Sequence, residues 1–373
     1  MQTVKLPFYA RLAFCLISLI LIILLLEQAR DIFIPLTFGL LIAILLYPLN
    51  RMFINKLRMG RAAAAGVSLV LFLLVVATFF YFLTIQVINF SHDLPDLKVR
   101  FESIYTDMQR WVKDMFHINR AQQTSYINDS GKDLLQSAAR SVSNLFLSVT
   151  AVLLLLVFVF MFTFFILFHR ALLLKVTLHL FSVQHRSKVR EVIMETKTMI
   201  NNYVMGLMIE MVIMSVANTA LLLIMGVKYA ILLGLVAAVL NIIPYIGIYT
   251  SIVFTMFVTF ANSKYSLALE AGAGLFLLHL VDANILMPRI VGARVKMNPF
   301  ITIIAVIVGQ FVWGIPGMFL FIPITGIIKL ICERVDGLEA WGMLIGVDDE
   351  VKKPRKKIML NDEGAKPPPE MTA

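Results

Sequence analysis

Cysteine is almost missing from this 373-residue chain: only Cys15 and Cys332 occur, at opposite ends and in or beside apolar runs. Two such residues build neither a disulfide framework nor a metal cluster, and both read as small apolar side chains. The signatures of soluble enzymes are missing too. No GxxxxGK[ST] loop is present to cradle nucleotide phosphates, so ATP hydrolysis by that route is excluded. No HExxH or GxSxG occurs. His169, His179 and His185 stand apart from carboxylates at metal-ligand spacing. Charge is scarce, at 15% of residues. The expectation is a chain that is not an enzyme, has no catalytic residue, metal or cofactor, and has no nucleic-acid partner.

What is abundant is apolar sequence. Hydrophobic residues make up 60% of the chain and its mean hydropathy is +0.86, against about 45–50% apolar residues in soluble domains. Several runs reach the roughly 20 residues that span a bilayer. Helices are expected at 12–26, 32–48, 62–90, 148–168, 200–226 and 266–287. The first is short enough to resemble a signal-peptide core. Glu27-Gln28-Ala29-Arg30-Asp31 follows it in place of a small-residue cleavage site, so a retained helix is expected.

Two further apolar stretches, 230–260 and 299–331, are interrupted by turn chemistry. Asn241, Pro244 and Gly247 break the first; Gly309, Gly314, Pro316 and Gly317 break the second. The predicted fold is an all-α polytopic membrane protein. It has about six full transmembrane helices plus two broken or re-entrant helical hairpins, about eight hydrophobic segments. Residues 1–90 hold the first three helices and 91–147 an extracytoplasmic segment. Residues 148–332 form a core that includes a basic amphipathic loop at 169–198, and 333–373 a polar, partly disordered tail.

The net charge of +10 gathers in short loops at 51–61, 169–198 and 289–296, which the positive-inside rule assigns to the cytoplasm together with both termini. In segment 91–147, Leu97, Phe101, Ile104, Met108, Trp111 and Met115 form one helical stripe. It reads as a helix on the outer surface, with a subunit contact or lid as the alternative.

Broken backbone at membrane depth survives only where protein or a water-filled cavity surrounds it, and paired discontinuous helices point to a transporter's substrate site. Polar residues at that depth are costly. Those that stand out are Glu210, Asn241, His279, Asp282, Asn284 and Gln310. With Pro244, Tyr245, Gly247, Gly314 and Gly317 they make up the candidate substrate or ion pathway. Asp282 and His279, three apart, share a helix face. Plainer roles stay open: Glu210 in a bond that holds the bundle, Asn241 satisfying freed backbone, Asp282 pairing with Arg289. The two breaks are expected to approach each other and line one cavity.

NIIPYIG at 241–247, VDANILMPRIVGARVKMNP at 281–299 and GQFVWGIPGMFLFIPITGIIK at 309–329 together resemble the autoinducer-2 exporter family of bacterial membrane proteins. The resemblance implies an inner-membrane transporter without ATPase, and a homo-oligomer, with a pentamer as one possible form. Some members export autoinducer-2; others look like sodium/proton antiporters. The family usually carries Glu where this chain has Asp282, and Pro where it has Ile248. The expected function is therefore export of a small polar metabolite, autoinducer-2-like, with the lipid bilayer as its other partner. A cation/proton antiporter and a non-transport membrane scaffold are the alternatives.

Overall fold

Lipid leaves the backbone no partner but itself, so each long apolar run closes its N–H and C=O groups within a helix. The computed structural model describes residues 7–92, 152–243, 246–263, 265–287, 289–290 and 297–346. The stripe at 97–115, Pro244, Tyr245 and the end of the tail lie outside the described residues.

The helices are α1 Phe8–Gln28, α2 Arg30–Lys56 and α3 Arg61–His92, then α4 Val152–His179. They continue with α5 Arg186–Ile224, α6 Ala230–Leu240, α7 Ile246–Asn262 and α8 Tyr265–Val281, then α9 Pro299–Trp313, α10 Ile315–Cys332 and α11 Glu339–Ile345. Seven helices are long and apolar enough to cross a membrane, and α6, α7 and α9 are shorter apolar pieces. This is the all-α polytopic membrane protein expected. Both breaks are present, between α6 and α7 and between α9 and α10, where Gly314 adopts φ 65°. Many large apolar side chains on α1, α3 and α4 are exposed, which suits a surface whose solvent is hydrocarbon.

Two expectations need correction. Helix α2 does not end at residue 48 but runs through Pro48 to Lys56. Pro48 deletes only one N–H donor, and it sits on an exposed face. The basic segment 169–198 is not a loop. It is helix on both sides of a short turn, and its second half is the start of α5, a single 39-residue helix. The stripe Val189, Val192, Ile193 and Ile200 continues straight into the membrane-spanning part. The polar tail begins with a short helix. Helix α11 folds back, and the Asn298 N–H donates to the Ile345 carbonyl at 2.9 Å.

Helix α5 is the spine. Its lower half, Met199 to Leu207, packs in one core cluster with Ile34 and Leu41 of α2, Val306 and Trp313 of α9, and Met318 and Leu320 of α10. Near its other end, Leu222 packs with Leu233 of α6, Val258 of α7, and Ala271 and Leu275 of α8. Two bodies thus share one helix, and Glu210 lies between them. The basic residues meet at one end of the bundle. Arg170 reaches Asn50, and Arg334, just past α10, pairs with Glu191 and Glu195 of α5.

Candidate functional site

Glu210, Asn241 and Asp282 come from three helices and meet where the two bodies join. Asn241 caps the end of α6, its N–H still bonded to the Ala237 carbonyl at 3.0 Å. Its Nδ2 donates to Glu210 Oε1 at 3.3 Å and to Asp282 Oδ2 at 3.0 Å. At Asp282 the helix changes pitch: residues 282–286 form a π-helical turn continuing α8. Such turns are rare and concentrate at functional sites. At 1.5 Å per helical residue, the three side chains lie roughly 16–25 Å along α5, α6 and α8 from the loops joining α5 to α6 and α7 to α8. Measured from those loops, that is past the middle of a hydrocarbon core of about 30 Å.

Burial is close to complete, with Glu210 at 6% and Asp282 at 1% exposure. One oxygen of each carboxylate takes Asn241. The other, Glu210 Oε2 and Asp282 Oδ1, is buried with no hydrogen-bond partner among the described residues, and so is His279 Nδ1. Orphaned polar atoms at this depth are costly. They would be satisfied by a guest bearing hydrogen-bond donors or positive charge. Among the described residues no group of three His, Cys, Asp or Glu side chains could hold a metal ion.

The other candidate residues divide. Gly247 lies against the cluster's support: a Cβ there would stand 1.7 Å from the Leu240 carbonyl oxygen, so the α6–α7 break closes only around a bare backbone. Asn284 is exposed, and its Nδ2 bonds to the Leu280 carbonyl of its own helix at 2.7 Å. Arg289 is exposed and forms no ion pair with Asp282. Gln310 is exposed as well, without a hydrogen bond to the cluster. Gly314 and Gly317 belong to the α9–α10 hairpin, which packs on α1, α2, α5 and α11. Trp313, beside that break, donates its Nε1–H to the Leu26 carbonyl at 2.9 Å. The first break carries the acidic cluster and the second is anchored to the end of α1, while Ile243, two residues past Asn241, packs against the core that holds Trp313 and Met318. Pro244 and Tyr245 lie outside the described residues.

The sequence reading missed a polar file on α7. Ser251, Thr255 and Thr259 recur one turn apart and are each 1% exposed. The Ser251 hydroxyl donates to the Ile248 carbonyl at 2.8 Å, and those of Thr255 and Thr259 are buried without a partner among the described residues, which leaves a line of hydroxyls along α7. Their i, i+4 spacing was the available signal, but three small hydroxyl residues in an apolar run resemble ordinary helix packing.

A family model described as AI-2E family transporter matches residues 12–337. The chain is 25% identical over 311 residues to YrrI of Bacillus subtilis, covering 81% of this chain and 86% of that one. It is 31% identical over 126 residues to "AI-2 transport protein TqsA" of Escherichia coli, 34% of this chain and 37% of that one. It is 32% identical over 123 residues to YhhT of Escherichia coli, with coverage of 33% and 35%.

Proposed function

Because the chain belongs to the AI-2E family of transporters, we propose that its transported solute passes the cluster of Glu210, Asn241 and Asp282. The chain is a multi-pass membrane transporter. Its substrate, on our reading, is a small polar metabolite rich in hydroxyl or amine donors, of the AI-2 kind named for TqsA. One observation carries this: two buried carboxylates share a single asparagine amide and each keeps an oxygen with no partner. Carboxylate oxygens only accept hydrogen bonds, so the matching guest is a donor. The hydroxyls of Ser251, Thr255 and Thr259 extend the polar surface along α7 and give such a solute bonds to exchange as it moves. Transport needs no catalytic step here.

Export from a bacterial inner membrane, with both termini cytoplasmic and a homo-oligomeric assembly, belongs to the same proposal. The collection of basic residues at one end of the bundle supports the orientation. With Cys15 and Cys332 replaced, cysteines placed at Lys56 and Ser187 are expected to stay unlabelled by an impermeant thiol reagent in intact cells, while one at Asn119 labels. Labelling of Ser187→Cys from outside would reverse the orientation.

The direct test is flux in proteoliposomes with a panel of labelled small hydroxylated and amino solutes, under imposed pH and sodium gradients. At least one solute is expected to cross faster than in protein-free vesicles, with the acceleration lost in Glu210→Gln. Sodium or proton flux with no solute flux at all would overturn the metabolite reading.

A further inference from the structure

At the basic end of the bundle three helices bring together cations that have no acidic partner among the described residues. Lys197 of α5 places its Nζ 3.1 Å from the centroid of the Tyr47 ring of α2. Arg170 of α4 lies over the same ring, its Cζ 5.1 Å from the centroid, and donates from Nη1 to Asn50 Oδ1 at 2.7 Å. Arg51 follows on α2 and, like Arg170, is close enough to act on the Lys197 charge. None of these three cations forms an ion pair among the described residues. The acids nearby on α5 are committed elsewhere, Glu191 and Glu195 to Arg334. Lys188, earlier on the same helix, pairs instead with Asp336 at 3.1 Å.

Tyrosine faces hold these cations only partly, and like charges gathered around one ring repel each other. A second, independent observation points to what completes the group. Asn50 is 1% exposed, yet its Nδ2 has no hydrogen-bond partner among the described residues. An unsatisfied amide donor therefore belongs to the residue that Arg170 bonds, one turn from Tyr47, whose ring holds Arg170 and Lys197. An anion with several acceptor oxygens would take the amide, the guanidinium and the ammonium together. We propose that Asn50, Arg170 and Lys197, flanked by Arg51, form a binding site for a phosphate group. Asn50 lies six residues before the end of α2 and Arg170 nine before the end of α4, where both helices pass from apolar to basic sequence, as spanning helices do at the membrane surface, where tyrosine is enriched. A phospholipid headgroup delivers its phosphate at that level, and basic pockets between helices on the cytoplasmic side suit anionic headgroups.

The test uses the full-length purified protein, stripped of lipid in detergent, and follows its thermal unfolding midpoint. Phosphatidylglycerol, phosphatidylcholine and inorganic phosphate are titrated separately. Phosphatidylglycerol is expected to raise the midpoint, with phosphatidylcholine doing so much less. In Arg170→Gln combined with Lys197→Gln, half-saturation is expected to need about thirty times more of it, at roughly tenfold or less for each surface cation lost. Lys197→Arg keeps the charge and retains the response. Lys56→Gln with Arg58→Gln, in the neighbouring basic segment, retains it too. A response to inorganic phosphate of equal size, abolished by the same double variant, assigns the site to the free anion. No response in the wild type to either phosphate source, or an undiminished response in the double variant, overturns the proposal.

Discussion

Asp282→Asn is expected to lower transport about a hundredfold while the protein still inserts and unfolds near the wild-type temperature. The change preserves shape and removes charge, so it probes the cluster's chemistry rather than its packing. Loss of one member of a buried, hydrogen-bonded charged set costs roughly 2–5 kcal/mol in the state that depends on it, and 1.4 kcal/mol is tenfold. Glu210→Gln is expected to act in the same direction, because Asn241 donates to both carboxylates through one nitrogen. Asp282→Glu should keep part of the flux, since the resembling family carries the longer acid there. Asn284→Ala and Gln310→Ala serve as controls. Both side chains are exposed and neither touches the cluster, so flux within about twofold of wild type is expected on a scale where 0.5 kcal/mol bounds ordinary surface changes. Unchanged flux in well-inserted Asp282→Asn and Glu210→Gln proteins would reduce the cluster to a structural tie between α5, α6 and α8.

Gly247→Ala is the second large effect. The added methyl would have to sit 1.7 Å from the Leu240 carbonyl oxygen and 2.4 Å from its carbon. Both partners are backbone, so no rotamer change relieves the overlap. The α6–α7 turn must open, which withdraws Asn241 from Glu210 and Asp282. Overpacking costs about 1–3 kcal/mol where side chains can yield, and here they cannot. A drop of several degrees in the unfolding midpoint and at least a tenfold loss of flux are expected. Gly317→Ala should destabilise by a similar amount, because its Cβ would meet the Gly309 carbonyl at 1.9 Å. Its effect on flux should follow from lost folded protein, since that hairpin lies on the other body. Gly66→Ala is the internal control. It sits in α3 with nothing within 4 Å of an added Cβ, and alanine there is expected to be neutral or stabilising by up to about 1 kcal/mol. Wild-type stability and flux in Gly247→Ala would show that the break has room that this backbone does not offer.

The sequence by itself determined the properties that depend on neighbours along the chain. The number of spanning runs follows from length against bilayer thickness. The breaks at Asn241 and Gly314 follow from which residues can leave a helix at depth, and the polar side chains inside the membrane stand out because each is costly there. The same locality explains the misreadings. Residues 186–198 are polar enough to look like a loop, but they continue without a break into Met199 and Ile200, which pack with α2, α9 and α10, so α5 is one helix. Residues 333–346 look like a tail by composition, and the pairing of Arg334 with Glu191 and Glu195 folds them back. Only the tertiary structure decided which polar residues meet. Asn241 is 31 residues from Glu210 and 41 from Asp282, and Asn50 is 120 from Arg170. Gln310 and Asn284, amides like Asn241, are exposed instead. A helix face points into the protein or into lipid according to how the helix is rotated against its neighbours. That rotation is fixed by packing across the whole bundle, which no short stretch of sequence contains.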